Sequence, residues 1–247
     1  MRSRVIRLPA ALVAACVAAA AVCAAVPAAE RVSEAVAAHA RVKSGELPTV
    51  IIDAGHGGFD GGAVARDGTN EKDINLAVSL ELEKTLKALG FTTVMTRSED
   101  KSLESESGSL KSKKRSDIMN RFALMHKYPN SVYLCIHQNC FSGASSSGAQ
   151  VFYTAENAEA KRLAQSVQDA VKAAVQPDNR RVIKPCERNV YIVCHAPVTA
   201  VLIECGFLSN AGDLERLKNG DYRKKLAFAI ADGLVQYLNG SEENGES

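Results

Sequence analysis

The chain of 247 residues is 46% hydrophobic, 23% charged and free of Trp, a composition that supports one sizeable core and excludes a disordered polymer. Its formal charge of +2 belongs to the N-terminal segment, because residues 1–28 hold three Arg and no acid and the remainder carries −1. The body of the protein therefore gives no electrostatic case for nucleic acid as a partner.

An uncharged run over residues 8–29 follows Arg2, Arg4 and Arg7, the pattern of an export signal or a membrane anchor. Val26-Pro27-Ala28 places small residues for cleavage after Ala28, so residues 1–28 are read as signal or anchor and the protein as exported. Residues 29–45 form a polar linker, helical around residues 32–40; residues 46–239 form the main domain; the polar tail 240–247 is expected to be disordered. Beyond the signal stand Cys135, Cys140, Cys186, Cys194 and Cys205. An odd number cannot all pair internally, and no Cys-x-x-Cys occurs, so neither a disulfide scaffold nor a thiolate zinc knuckle is expected.

The first strand falls at residues 49–53 and runs into a loop of Gly55, His56, Gly57, Gly58, Gly61 and Gly62, a composition suited to several left-handed turns. Asn70 can cap a helix whose apolar positions Ile74, Val78, Leu82, Leu86 and Leu89 repeat at helical spacing until Gly90. Residues 91–96 read as a strand, 101–116 as an exposed Ser/Lys/Glu-rich loop, and Ile118, Phe122 and Met125 as the start of a second helix. Strands follow at 131–137 and 148–153, a helix at 157–175, a basic loop at 180–188, short strands at 190–194 and 200–204, and a last helix at 222–238. Strands alternating with helices imply one three-layer α/β domain with a mostly parallel central sheet flanked by helices. Ligands of such sheets sit beyond the carboxyl ends of the strands.

The common nucleotide and hydrolase words fail. Asp60 stands where a third glycine of G-x-G-x-x-G belongs, no Lys-Ser/Thr follows as in a P-loop, and no H-E-x-x-H or G-x-S-x-G occurs. What remains is His56 in the glycine loop, Glu71 in the first helical turn, His137 at a strand end and Glu204 at another. Two imidazoles and a carboxylate are zinc ligands that leave a fourth position for water, as a catalytic site requires. Taken singly each has a plain structural role, such as Glu71 near a helix N-terminus. Glu204 ends the apolar run Val201, Leu202, Ile203, where a desolvated carboxylate either pairs with a cation or acts as a base. His39 and His126 are poor ligands by position. Cys194 and His195 could form a nucleophile and base, but neighbours in an extended strand point to opposite faces.

Four words in order carry a resemblance: Ile52-Asp53-Ala54-Gly55-His56-Gly57-Gly58, Asn70-Glu71-Lys72-Asp73-Ile74-Asn75-Leu76, Ile136-His137-Gln138-Asn139, and Ile203-Glu204-Cys205-Gly206-Phe207-Leu208-Ser209-Asn210. They resemble the zinc-dependent N-acetylmuramoyl-L-alanine amidases of the Amidase_3 family. The resemblance implies His56, Glu71 and His137 as ligands of Zn²⁺, Glu204 as the catalytic glutamate, and peptidoglycan as substrate, cleaved between the lactyl group of N-acetylmuramic acid and L-alanine. The segment Asn189-Val190-Tyr191-Ile192 and the stand-alone domain look most like the germination-specific, spore-cortex (CwlD-like) branch, in which cleavage leads to muramic-δ-lactam and some members depend on a lipoprotein activator. A vegetative amidase for cell separation and an exported zinc peptidase are the competing activities. The family usually has Ser where Cys135 stands; on the face of His137, that thiol either packs or competes for metal. Arg180, Arg181, Lys184 and Arg188 are candidate contacts for stem-peptide carboxylates.

Overall fold

Side-chain alternation along the strands decides the layers. In β3 (Ser131–Asn139), Val132, Leu134 and Ile136 face one side, while Tyr133 and Cys135 face the other. The computed structural model describes residues 47–141, 145–187 and 190–242. The expected signal or anchor, the linker, the Ser-rich residues 142–144, Arg188, Asn189 and the tail from 243 lie outside the described residues.

Six strands form one sheet in the order β2, β1, β3, β6, β4, β5. Besides β3 these are β1 (Thr49–Ala54), β2 (Thr93–Met95), β4 (Gln150–Tyr153), β5 (Lys184–Pro185) and β6 (Thr199–Phe207). Only β4 against β6 is antiparallel; the other pairings are parallel. The expected three-layer α/β domain is what the chain adopts.

One face is thickly covered by three helices. α1 (Glu71–Ala88) contributes Ile74, Val78, Leu82 and Leu86, α3 (Ala158–Val175) contributes Leu163, Val167 and Val171, and α6 (Gly220–Glu242) contributes Leu226, Ile230 and Leu234. The opposite face carries only α2 (Leu110–Lys127) and the single turn α4 (Tyr191–Cys194), with Met125 and Val193 packed on Ile51, Tyr133 and Leu202. This thin cover leaves a cleft at the carboxyl edge. Among the described residues no helix is long and apolar enough to cross a membrane.

Several sequence expectations change. The Ser/Lys/Glu-rich stretch is not all loop, because α2 begins at Leu110, capped by Ser109 Oγ accepting from Ser112 N at 3.2 Å. The helix expected from Ile118, Phe122 and Met125 thus starts two turns earlier; polar residues hid that beginning, yet Ser116 and Arg121 are buried. Residues 191–194, expected as a strand, form the turn α4, and α5 (Ala211–Lys218), which had no clear apolar repeat, was not anticipated. Asn70 occupies the N-cap of α1 without a side-chain cap bond. The first-turn donors are satisfied by the glycine loop instead, Glu71 N by Ala63 O at 2.8 Å and Lys72 N by Gly61 O at 3.2 Å.

Cys186 and Cys194 form a disulfide across a sequence separation of 8, while Cys135, Cys140 and Cys205 are free. The earlier argument that Cys194 and His195 diverge from an extended strand fails with that strand, but the disulfide removes the thiol such a nucleophile needs. The bridge ties β5 to α4, whose residues wall the cleft. By the loop-closure argument, replacing both cysteines by Ser costs roughly 2–3 kcal/mol. Urea unfolding should show that loss, and an unchanged midpoint would refute the constraint.

Candidate metal centre and active site

The site begins where β1 ends. His56 sits at φ 61°, a conformation few non-glycine residues occupy, and it needs enforcement from its surroundings. Two buried guanidiniums supply it. Arg97, 1% exposed, donates to Ala54 O at 2.8 Å, Gly55 O at 3.1 Å and Lys72 O at 2.8 Å. Arg121, 2% exposed, donates to His56 O at 2.7 Å, to Ala54 O at 2.9 Å and to Asp53 Oδ1 at 2.5 Å, and its Nε donates to Asp117 Oδ2 at 2.8 Å. Burial raises the pKa of Asp53, but the Arg121 charge and hydrogen bonds outweigh it, and the net value is lowered to about 2.

The structure brings His56, Glu71 and His137 together, with one ligand atom of each lying within 4.8 Å of the others. Glu71 Oε1 faces His137 Nδ1 at 2.9 Å and Glu71 Oε2 faces His56 Nε2 at 3.3 Å, while the two imidazole centroids stand 4.8 Å apart. His56 Nδ1 donates to Asp60 Oδ2 at 2.9 Å, which turns Nε2 towards the centre. Asp60 is itself held by Lys114 at 2.9 Å. Glu71 also accepts from Ala63 N, Gln138 N and Asn75 Nδ2. Steric clearance matters equally: a Cβ on Gly55 would meet the His137 ring, and one on Gly62 (φ 67°) would meet Glu71 Oε2 at 2.6 Å.

Electrostatics mark this as a place for positive charge. Burial opposes ionisation of Glu71, but hydrogen bonds from His137 and His56 outweigh it and keep the carboxyl well below the usual range. Burial likewise opposes a charged His56, yet its bonds to Asp60 and Glu71 raise its pKa to about 9. Two nitrogens and a carboxylate thus share a cation's position, the donor chemistry that a divalent zinc-type ion fits.

Glu204 stands beside this centre. β3 and β6 pair His137 with Glu204, so the two side chains share a face. Glu204 Oε2 is buried and has no hydrogen-bond partner. Burial, only partly offset by His137, raises its pKa to about 7. Among the described residues no ion pair includes Glu204, although the charges of His137, His56 and Arg181 lie near enough to offset part of its burial. The cleft, about 270 Å³, is lined by His56, His137 and Glu204 with Ile118, Tyr191 and Ile192 among its walls.

The other sequence candidates fall apart from the centre. His126 and His195 are exposed, the first edge-on to Phe122 and the second stacked on Tyr191, and His39 lies outside the described residues. Cys135 Sγ donates to Asp53 Oδ2 at 3.1 Å, so its thiol is engaged below the site. Burial, with the Asp53 carboxylate, pushes its pKa well above the ordinary thiol range. Lys184 and Arg180 are exposed, and Arg181 is bound to Gln150. Sequence reasoning missed Asp60, four residues after His56, and Asn75, one helical turn after Glu71; both spacings were available signals. It also missed Arg97 and Arg121, for which no local signal existed.

A parallel sheet whose carboxyl edge gathers a metal-competent trio and a protonatable carboxylate in an open cleft defines a hydrolytic α/β domain. The chain belongs to the Amidase_3 family and is an N-acetylmuramoyl-L-alanine amidase: the family model described by that activity matches residues 50–236. It is 31% identical to the germination-specific N-acetylmuramoyl-L-alanine amidase of Bacillus subtilis, covering 76% of this chain and 79% of that one. It is 35% identical to the uncharacterized protein YqiI of the same organism, over 78% and 86%. The CwlD amidase of Clostridioides difficile, solved in complex with the GerS lipoprotein, superimposes with TM-score 0.75 at 36% identity, over 78% of this chain and 98% of that one.

Two outcomes follow. Arg121→Met strands the Asp53 charge in the interior and should cost about 3–5 kcal/mol in urea unfolding; a loss under about 1 kcal/mol contradicts the clamp. Cys135→Ser keeps a donor for Asp53 and should leave zinc content by elemental analysis unchanged, whereas loss of metal would make the thiol a ligand.

Proposed function

We propose that this amidase is zinc-dependent, with His56, Glu71 and His137 as the ligands and Glu204 as the proton carrier, and that it acts outside the cytoplasm on spore-cortex peptidoglycan. The observation behind this reading is the unpartnered Glu204 carboxyl oxygen next to a trio of ligand atoms that fits a divalent ion. When bound, Zn²⁺ supplies Lewis-acid chemistry, polarising the lactyl carbonyl and acidifying a water.

The chain's own residues do the rest. Asp60 fixes the tautomer of His56, and Ala63 N, Gln138 N and Asn75 hold the Glu71 carboxylate in place. Glu204, with a pKa near neutrality, takes the proton of the attacking water and passes it to the departing L-alanine amine. Ile118, Tyr191 and Ile192 exclude bulk water from one side of the cleft.

The cortex assignment rests on the likeness to the germination-specific enzyme and to the CwlD amidase. In that setting cleavage releases stem peptides ahead of muramic-δ-lactam formation. The lipoprotein bound to the CwlD amidase suggests a lipoprotein activator here as well, and the N-terminal signal or anchor fits export with or without membrane attachment.

Digestion of purified cortex and vegetative sacculi, with mass analysis of the products, tests the whole reading. A new free L-alanine amine on intact glycan, with cortex preferred, is expected; a shortened stem would indicate a peptidase, and vegetative preference a cell-separation role. Glu204→Gln should keep zinc and lose about 10²–10⁴-fold in kcat. A base works deprotonated, so kcat/KM should rise with pH through the Glu204 pKa; a bound cation shifts that limb to or below pH 7. Full turnover in Glu204→Gln would remove Glu204 from the reaction.

A further inference from the structure

The row of polar side chains on the carboxyl edge continues past Glu204. β6 pairs His137 of β3 on one side and Gln150 of β4 on the other with the same residue, Glu204. The three stand on one face at strand spacings of about 4.8 Å. Arg181 comes next: its Nη2 and Nε donate to Gln150 Oε1 at 2.7 and 3.2 Å, and its guanidinium lies 4.7 Å from the Phe207 ring centroid.

An unusual set of supports holds this arginine. Gln150 is 3% exposed and anchored through Nε2 to Val182 O at 2.8 Å. Arg181 N donates to Asn179 Oδ1 at 2.9 Å, and Asn179 Nδ2 donates to Ala149 O at 2.8 Å and to Gln176 Oε1 at 2.9 Å. Ordering an arginine side chain costs rotamer entropy, so a solvated surface charge has no need of such a scaffold. Every hydrogen-bond acceptor of the guanidinium is neutral, and none of the ion pairs among the described residues includes Arg181. Its charge is therefore fixed and partly exposed, offset only by the longer-range attraction of the Glu204 carboxyl, with Nη1 free of hydrogen bonds among the described residues. That is a preorganised anion contact.

We propose that Arg181 is the specificity-determining contact for a free carboxylate of the stem peptide, that of the acidic residue following L-alanine, and that Gln150, Asn179 and Phe207 are its positioning residues. The inference rests on Glu204 as the group that protonates the leaving amine. With the ligand trio on the β1 and β3 side, the departing peptide lies over β6 and β4. An extended chain advances about 3.3–3.6 Å per residue, so the second residue's carboxylate stands about 7 Å from the scissile nitrogen. Two strand spacings beyond His137, over Gln150, the guanidinium is within reach.

Steady-state kinetics on two muropeptides that differ only in this carboxylate, free acid against primary amide, test the assignment in the zinc-loaded enzyme. The wild type should favour the acid about tenfold in kcat/KM, a difference carried by KM and typical of a charge-assisted contact. Arg181→Gln should bring the two substrates within about twofold of each other in kcat/KM, chiefly through a higher KM for the acid, and Arg181→Lys should restore part of the preference. Zinc content, measured alongside, should match the wild type, while the loss of the bonds to buried Gln150 lowers the melting temperature by a few degrees without unfolding the protein. No acid preference in the wild type, or an undiminished one in Arg181→Gln, overturns the proposal. Failure of the Glu204 reading is seen separately, as turnover of both substrates by Glu204→Gln.

Discussion

The site depends on the capture of backbone carbonyls by two buried guanidiniums. Arg97 and Arg121 together bind the carbonyls of Ala54, Gly55, His56 and Lys72, the points where β1 turns into the glycine loop and where α1 begins. A planar fork with several donors can tie divergent carbonyls into one unit, which a lysine or a neutral amide cannot. The positive φ of His56 persists because this unit over-determines it. Asp53 and Asp117 compensate the charge of Arg121 inside the protein, so the clamp is electrically closed without drawing on the carboxylates of the site.

Around that clamp the two ends of the ligand set are coupled through the main chain. The loop that presents His56 also caps the helix that presents Glu71, by way of Ala63 O and Gly61 O. Displacing the loop that carries His56 therefore displaces Glu71 as well. His137 arrives independently on the central strand β3, where parallel partners on both sides leave little freedom in its position. A rigid sheet edge meeting a rigid loop gives a preorganised centre, whose fixed donors would meet a cation without reorganisation.

The unequal helical layers explain why the cleft opens where it does. Three long helices bury one face of the sheet, whereas α2 and the disulfide-tied turn α4 cover the other only in part. His137, Glu204 and Gln150 all point to that thinner face, in one line across three strands. A linear arrangement suits a linear substrate: in the proposed reaction the glycan and lactyl group would lie on the side of the metal-competent trio and the leaving peptide on the side of Arg181. The single antiparallel strand β4 makes this possible, because it brings Gln150 beside Glu204 at the same edge where the parallel strands end.

Much was legible before any coordinates. The strands read at 49–53 and 131–137 and the amphipathic helices after Asn70 and at 157–175 announce themselves through apolar spacing and breakers, and His56, Glu71, His137 and Glu204 stand in four recognisable words whose residue types suit metal and base chemistry. Periodicity showed α2 from Ile118 through Phe122 and Met125 but not its first two turns from Leu110, where the sequence is polar, nor the helical turn at 191–194, whose disulfide partner lies eight residues away. The sequence by itself determined the layers and the chemical identity of the site, because both depend on local pattern and side-chain type. Only the tertiary structure decided how far apart the ligand atoms stand, that Glu204 keeps an oxygen without a partner, and that two arginines of a polar-looking stretch lie in the interior, because burial and long-range hydrogen bonding are properties of the packed chain.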